Sequence, residues 1–394
     1  MSAGGWKESA KGLMRRALPQ YLHDPVLAIY RKVRDRLPYR EKARRFLLRR
    51  PVSLMNRYPG LLYPKVLSLC LTTRCNLRCF ICRRENVRGQ DLDFGNLPRL
   101  KNAFRHASTI DLTGWGECLV YPKFEEVLSY IFSLNGRDGL IQITSNGTLF
   151  SGKIAALLAG HLQRVTISLN AASEETYNRE MKHGDFGKTM RNIRDFASAL
   201  GEGDRRKINF HFVAHTGNFR EIPDFIRLAR DTGVPSVTIG QYLVGIEEHH
   251  RFSLLNAREE YNAVLRDADR LARELGVLLV ARRFFGEEAT GGFECNDPYD
   301  ACFVEVDGRV GPCCFCGSYR IGNVFESGFE AVWFGGEYRK LRKRRHLPAC
   351  RSCSPLIPFD DPGAHFTAYL KEKEDFREVL DLYGDDSRRR EEAK

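Results

Sequence analysis

The chain lacks any run of about 18 apolar residues, the length a helix needs to cross a bilayer, so no membrane span is expected. Its first residues, Met1 to Gly12, are polar and contain no apolar h-region, so no secretory signal is read there. Nor does the sequence repeat internally. The basic N-terminal stretch has few interleaved aromatics on which bases could stack, which argues against nucleic acid as a partner. These absences point to a cytosolic protein. With 394 residues, 43% hydrophobic and 28% charged, it can bury one large core and carry a smaller domain beside it.

What the chain does have is cysteine, 12 residues of it. In a reducing compartment these are expected to be metal ligands or reactive thiols rather than disulfides. Four lie between Cys70 and Cys82, seven between Cys295 and Cys353, and only Cys118 stands between the groups. Two separated groups suggest two metal sites. The net charge of +12 is equally uneven: residues 1–65 hold 16 Lys and Arg against 4 Asp and Glu, and the remainder is balanced.

From Pro64 onward, apolar β-rich segments begin at Val66–Thr72, Thr109–Thr113, Leu140–Thr144, Val165–Leu169, Ile208–Val213 and Val237–Ile239. Helical periodicity separates them, as in Phe124–Leu134, Phe186–Leu200 and Ile222–Thr232. Strands alternating with helices indicate an α/β chain with a parallel sheet, either doubly wound or a partial barrel. Its functional residues are expected just after the strand C-termini. A long helix over Ala257–Leu275 and a strand over Val277–Ala281 follow, then a Gly- and Glu-rich linker at Phe284–Phe293. A last helix is expected over Gly363–Leu382, before a charged tail.

After the first strand comes Cys75-Asn-Leu-Arg-Cys79-Phe-Ile-Cys82, a C-x3-C-x2-C loop. Three thiolates on one short loop can hold three corners of a cubane cluster and leave the fourth iron open. Zinc is the competing reading, but it usually takes four ligands, and no His or fourth Cys follows nearby. The loop resembles the signature of the radical S-adenosylmethionine (SAM) superfamily, with Ile81 at the apolar position whose backbone in that family contacts adenine. Thr113-Gly-Trp-Gly-Glu117 resembles the family's GGE motif, which implies that Gly116 and Glu117 hold the SAM amino group; Trp115 replaces the first Gly. Ser145-Asn-Gly-Thr148 resembles the turn that approaches the ribose, through Asn146, and Ser168 matches a polar position near SAM. The resemblance covers residues 66–245. It implies a partial (β/α)6 TIM-like barrel, a SAM-binding [4Fe–4S] cluster on Cys75, Cys79 and Cys82, and a reductant such as flavodoxin or ferredoxin.

The second group reads Cys295-x12-Gly308-x4-Cys313, then Cys350-x2-Cys353, with an Asp-Gly turn in Val306–Val310. It resembles the twitch form of the SPASM domain, which implies one auxiliary [4Fe–4S] cluster on Cys295, Cys313, Cys350 and Cys353. Cys302 is the alternative to Cys295, since both precede the hairpin, and a zinc ribbon is the alternative to the cluster. The expected division is a basic helical extension (1–65), the barrel (66–283), the auxiliary domain (284–362) and a C-terminal helix with a charged tail (363–394).

Of the remaining thiols, Cys70 reads as a small buried hydrophobe. Cys118, Cys302 and Cys316 are candidates for returning a hydrogen atom to a substrate radical, as one thiol does in radical SAM epimerases. The basic arm, with apolar Val26, Tyr30, Val33 and Leu37 on one helical face, reads as a helical extension. The sharper alternatives are peripheral attachment of residues 1–60 to anionic lipid, or a grip on an anionic substrate. The leading functional expectation is dehydrogenation or epimerisation of a hydroxylated small molecule such as a sugar or aminocyclitol. A peptide maturase is the second, and a catalytically silent cluster-binding or membrane-adaptor protein the third.

Overall fold

The first parallel strand, β1 (Val66–Leu69), is short, apolar and covered on both faces, as a strand inside a parallel sheet must be. In the computed structural model it is followed by β2 (Arg78–Cys79), β3 (Thr109–Asp111), β4 (Ile141–Ser145), β5 (Leu162–Ser168), β6 (Met181–Lys182), β7 (Ile208–Ala214), β8 (Ser236–Gln241) and β9 (Leu278–Ala281). The structure describes Arg44 and Leu48, then residues 62–82, 89–136, 139–281, 284–286, 295–313, 320–344, 350, 353, 359–367 and 370. The chain divides after Leu62 into two units, three residues earlier than the sequence suggested. In the first unit, the Leu48 N–H donates to the Arg44 carbonyl at 2.9 Å; the rest of the expected basic helices lies outside the described residues. Among the described residues no helix is long and apolar enough to cross a membrane.

The second unit is built on one sheet whose parallel part runs in the order β1-β3-β4-β5-β7-β8-β9, with three further strands from the C-terminal segment beyond β1. From β1 to β9 every neighbouring pair is parallel. The crossovers carry the helices the periodicity predicts: α1 (Phe124–Leu134), α2 (Phe186–Ala199), α3 (Ile222–Thr232) and α4 (Arg258–Leu275). Helix α1 buries Phe124, Val127, Leu128 and Ile131, the spacing of one helical face. All these connections return each strand in the same direction, so the loops after the strand C-termini gather at one end, as in a radical SAM-type partial barrel.

The cysteine-rich C-terminal segment does not stand apart from this sheet. Its first strand, β10 (Ala301–Val304), pairs in parallel with β1, Val66 opposite Ala301 and Leu69 opposite Val304. β11 (Arg309–Gly311) and β12 (Gly322–Asn323) then add antiparallel strands. β10 therefore covers the edge that β1 would otherwise expose.

Two expectations need correction. Gly363 does not begin a helix: Pro362–Ala364 is a single 3-10 turn capped by Asp361, and Phe366 bridges to Val244 as extended chain. Pro at the turn's first position and the Asp361 cap stop the segment before a longer helix can form; Leu370 is helical, and the rest of that stretch lies outside the described residues. The start of the linker is not a free connector either. Asn262 on α4 both accepts from the Phe285 N–H (2.8 Å) and donates to its carbonyl (2.7 Å), and the Phe285 ring packs on Phe359 and His365. The remainder of Phe284–Phe293 lies outside the described residues.

Candidate active site

The first cysteine loop leaves β1 at the C-terminal end of the sheet and is fixed at both ends. β2, which contains Cys79, pairs with β6 through Cys79–Met181 and Arg78–Lys182. The Phe80 N–H donates to the Glu180 carbonyl at 2.8 Å, and the Cys82 N–H closes a turn on the Cys79 carbonyl at 3.1 Å. Cys75, Cys79 and Cys82 are all partly exposed, as ligands facing an incoming cofactor must be. The Leu77 N–H points at the Cys75 sulfur at 3.5 Å. Hydrogen bonds to such sulfurs stabilise added charge and tune the potential of a cluster.

The loop after β3 is held against this one by two backbone bonds, Gly116 N–H to Thr72 O (3.1 Å) and Glu117 N–H to Arg74 O (2.8 Å). A Cβ on Gly116 would fall on the Arg74 carbonyl oxygen and 2.6 Å from that of Thr72, so only glycine lets the two loops approach here. Glu117 is buried, and burial raises its carboxyl above the ordinary value, against the pull of its hydrogen bonds. Both its oxygens are used: one accepts the Asn146 N–H (2.8 Å), the other the Leu119 N–H (3.2 Å). The carboxylate thus ties the β3 loop to the β4 loop.

The β4 turn completes the junction. The Asn146 side-chain amide donates to Asn76 Oδ1 (2.9 Å) and reaches the Cys75 sulfur (3.8 Å), while the Asn76 amide donates to Thr148 Oγ1 (2.7 Å). Three of the predicted motifs are therefore one hydrogen-bonded network around the cysteine loop. Ile81 follows Cys79 in the same turn, and Ser168 is the last, half-buried residue of β5.

One part of the site had no motif to announce it. Phe80, between Cys79 and Ile81, stacks on His249 (4.2 Å between centroids) and meets Phe252 edge-on (4.9 Å) and His215 at 5.5 Å. His215 Nδ1 accepts the Gly217 N–H at 3.1 Å, which assigns the proton to Nε2, donated to Glu180 Oε2 at 2.9 Å. Both partners are buried. His215 directly follows β7 and Tyr242, whose hydroxyl meets His249, directly follows β8; their place at strand ends was the available signal.

In the C-terminal segment, Cys295, Cys313, Cys350 and Cys353 are electrostatic neighbours. Burial first, then the charges of Asp297, Cys313 and Cys350, pushes the Cys295 thiol up to about 11. Burial and the charges of the other three thiols do the same to Cys353. The Cys353 N–H closes a turn on the Cys350 carbonyl at 3.2 Å. Cys302 is not in this group: it is buried in β10 against Tyr338 and Arg342, and burial pushes its thiol up to about 12. Cys295 rather than Cys302 joins the other three. Among the described residues, no set of three or more Cys, His, Asp or Glu closes to the distances of a single metal ion. Cys118 is buried beside Glu117, with its sulfur 3.8 Å from the Thr144 carbonyl, and burial holds its thiol well above the ordinary range. Cys316 lies outside the described residues.

Residues 69–229 match the model of the radical SAM superfamily, and residues 295–354 match that of the SPASM iron–sulfur cluster-binding domain. Residues 69–229 thus carry a radical SAM domain and residues 295–354 a SPASM domain. The chain's relatives include the GTP 3′,8-cyclase of Rhizobium etli, 31% identical over 218 residues, 52% of this chain and 61% of that protein. The AdoMet-dependent heme synthase of Methanosarcina barkeri is 25% identical over 325 residues, 74% of this chain and 88% of that one. The chain spans 50 to 61% of the length of the GTP 3′,8-cyclases it matches. Among solved structures, Streptococcus suis SuiB bound to S-adenosylmethionine shares the fold with a TM-score of 0.57 at 16% identity, covering 82% of this chain and 77% of its own. Native anSMEcpe with bound AdoMet also reaches 0.57, at 19% identity, covering 73% and 86%.

The two domains bring S-adenosylmethionine and [4Fe–4S] clusters as cofactors, and the residues present fit them. Three thiols on one loop, with two amides directed at the Cys75 sulfur, suit a cluster with one open iron. Four thiols whose ionised forms would repel one another suit a fully thiolate-ligated one, whose iron would offset that charge.

Proposed function

We propose that the chain cleaves S-adenosylmethionine reductively and uses the 5′-deoxyadenosyl radical to take a hydrogen atom from a hydroxylated small molecule, dehydrogenating or epimerising it. The observation that carries this reading is the network joining Cys75, Asn146 and Glu117: it sets the cysteine loop, the glycine-rich loop and the β4 turn side by side. Bound there, the cluster supplies the single electron that breaks the sulfonium C–S bond. The chain's own work is placement. The backbone of Gly116 and Glu117 presents the amino-group site, Asn146 orders the ribose side, and the loops after β7 and β8 wall off water. The sugar or aminocyclitol class rests on the resemblance to single-auxiliary-cluster enzymes, and the basic arm favours an anionic member of it. GTP in the names of the relatives adds an anionic nucleotide to the substrates worth testing.

The test uses anaerobically reconstituted protein with dithionite or flavodoxin as reductant. SAM is expected to yield 5′-deoxyadenosine, and Ser at Cys75, Cys79 or Cys82 to abolish it; persistence in those variants defeats the proposal. Sugar, aminocyclitol and nucleotide panels then show which class raises the yield. A response to precursor peptides alone would replace the small-molecule reading by a peptide maturase. In D2O an epimerised product gains solvent deuterium, whereas an oxidised one does not.

A further inference from the structure

Trp115 stands where the resembling motif carries glycine, in the middle of the loop read as holding SAM. Its ring is not loose. The indole N–H donates to Glu305 Oε2 at 2.8 Å, across 190 residues of sequence, and its ring meets Phe303 edge-on at 6.0 Å. Glu305 is itself buried, with 6% of its surface exposed, and its other oxygen accepts from Arg320 Nη1 at 3.2 Å. Beneath them, Cys70, Phe303 and Val306 form a closed apolar cluster, and the Cys70 N–H donates to Val304 O at 2.9 Å.

The place of Glu305 gives this chain of contacts its meaning. It directly follows β10 and opens the turn into β11, which ends two residues before Cys313, one of the four auxiliary thiols. The loops after β3 and β10 emerge at the same end of the sheet, because β10 runs parallel to β1 and β1 parallel to β3. One hydrogen bond to a buried carboxylate therefore joins the glycine-rich loop to the hairpin that leads into the auxiliary site. The acceptor side chain is buried, whereas Trp115 is 42% exposed, so the bond meets solvent on the side of the glycine-rich loop.

We propose that Trp115, Glu305 and Arg320 form a latch that couples SAM binding at the 113–117 loop to the auxiliary-cluster hairpin. Trp115 and Glu305 are positioning residues: neither ligates a cluster, and each acts by holding the loop the other belongs to. The coupling runs both ways by linkage, so SAM must also alter the environment of the auxiliary cluster. The proposal rests on the reading that the 113–117 loop holds SAM.

The experiment measures SAM affinity of the reconstituted holoenzyme by anaerobic equilibrium dialysis, and the auxiliary cluster's midpoint potential with and without SAM. Trp115→Phe keeps an aromatic ring and removes the N–H; Glu305→Ala removes the acceptor. Each is expected to weaken SAM roughly three- to tenfold, and the double variant no further than the worse single one, because both break the same bond. Glu305→Gln, whose amide oxygen can still accept, is expected to restore affinity to within about twofold of wild type. SAM should shift the auxiliary potential in wild type and leave it unmoved in Trp115→Phe. Effects that multiply in the double variant, or a Trp115→Phe protein whose potential still shifts as in wild type, overturn the latch. The second readout decides alone if Glu305→Ala does not fold. Wild type failing to bind SAM would instead defeat the reading of the loop itself.

Discussion

Replacing Gly116 by alanine adds one methyl group at the tightest backbone crossing of the site. The new Cβ would fall on the Arg74 carbonyl oxygen, 2.6 Å from the Thr72 oxygen and 2.8 Å from the Thr73 carbonyl carbon. All three are backbone atoms, so no side chain can swing aside. Relieving such an overlap costs about 1–3 kcal/mol. The move also lengthens the two bonds that pin the loop, Gly116 N–H to Thr72 O and Glu117 N–H to Arg74 O, each worth about 1 kcal/mol. The expected loss is about 2–5 kcal/mol. Unfolding entropy for a unit the size of Tyr63–Lys394 is about 0.7 kcal/mol/K, so the melting midpoint should fall by roughly 3–7 °C. Because the shift separates the glycine-rich loop from the cysteine loop, 5′-deoxyadenosine formation should fall about 100-fold, the scale of a misplacement near 1 Å. Gly203→Ala is the control. Its Cβ meets nothing within 4 Å in the short helix Glu202–Arg205, and it should gain about 0.5–1 kcal/mol. Scanning fluorimetry and a timed 5′-deoxyadenosine assay read both variants. A Gly116→Ala protein that melts within about 1 °C of wild type and turns over normally would refute the argument from close approach.

The ligand assignment in the C-terminal group gives a second prediction. Cys295→Ser should cut iron from about eight to about four per chain after reconstitution, while Cys302→Ser, packed against Tyr338 and Arg342, should keep about eight; the reverse pattern would exchange the two residues. The third concerns pH. Burial raises the Glu117 carboxyl above its ordinary 4.5, so the folded chain binds that proton more tightly than the unfolded one. The corresponding stability is fully present below 4.5 and is lost as pH rises through the folded-state value. Glu117→Gln removes this slope, and also leaves one oxygen to serve two amides. Urea midpoints measured upward from pH 4.5 should therefore show wild type losing stability relative to the variant as pH rises; parallel curves would show that Glu117 does not titrate there.

How far the sequence could be read depends on the range of the interaction that fixes each feature. Phe124–Leu134 and Ile222–Thr232 appear with the bounds their periodicity gives, because an amphipathic face is a local pattern. The cysteine loop, Glu117 and Asn146 were legible for a related reason: each is tied to a strand end, and in a parallel sheet the strand ends converge whatever lies between them. The pairing of β10 with β1 could not be read this way. Nothing in Ala301–Val304 names Val66–Leu69 as its neighbour, and an apolar strand would suit any open edge. The same limit explains why Cys295 and Cys302 remained alternatives. Both precede the Gly308 hairpin at workable distances, and only the sheet shows that Cys302 points at Tyr338 while Cys295 lies near the other thiols. Trp115 is the sharpest case. In sequence it is a departure from a glycine motif, a large side chain where a small one was expected. Its partner lies 190 residues away, at the end of a strand whose place in the sheet no local pattern gives. A substitution that looks tolerated in the motif therefore joins it to the second cysteine group, and its consequences have to be sought in both.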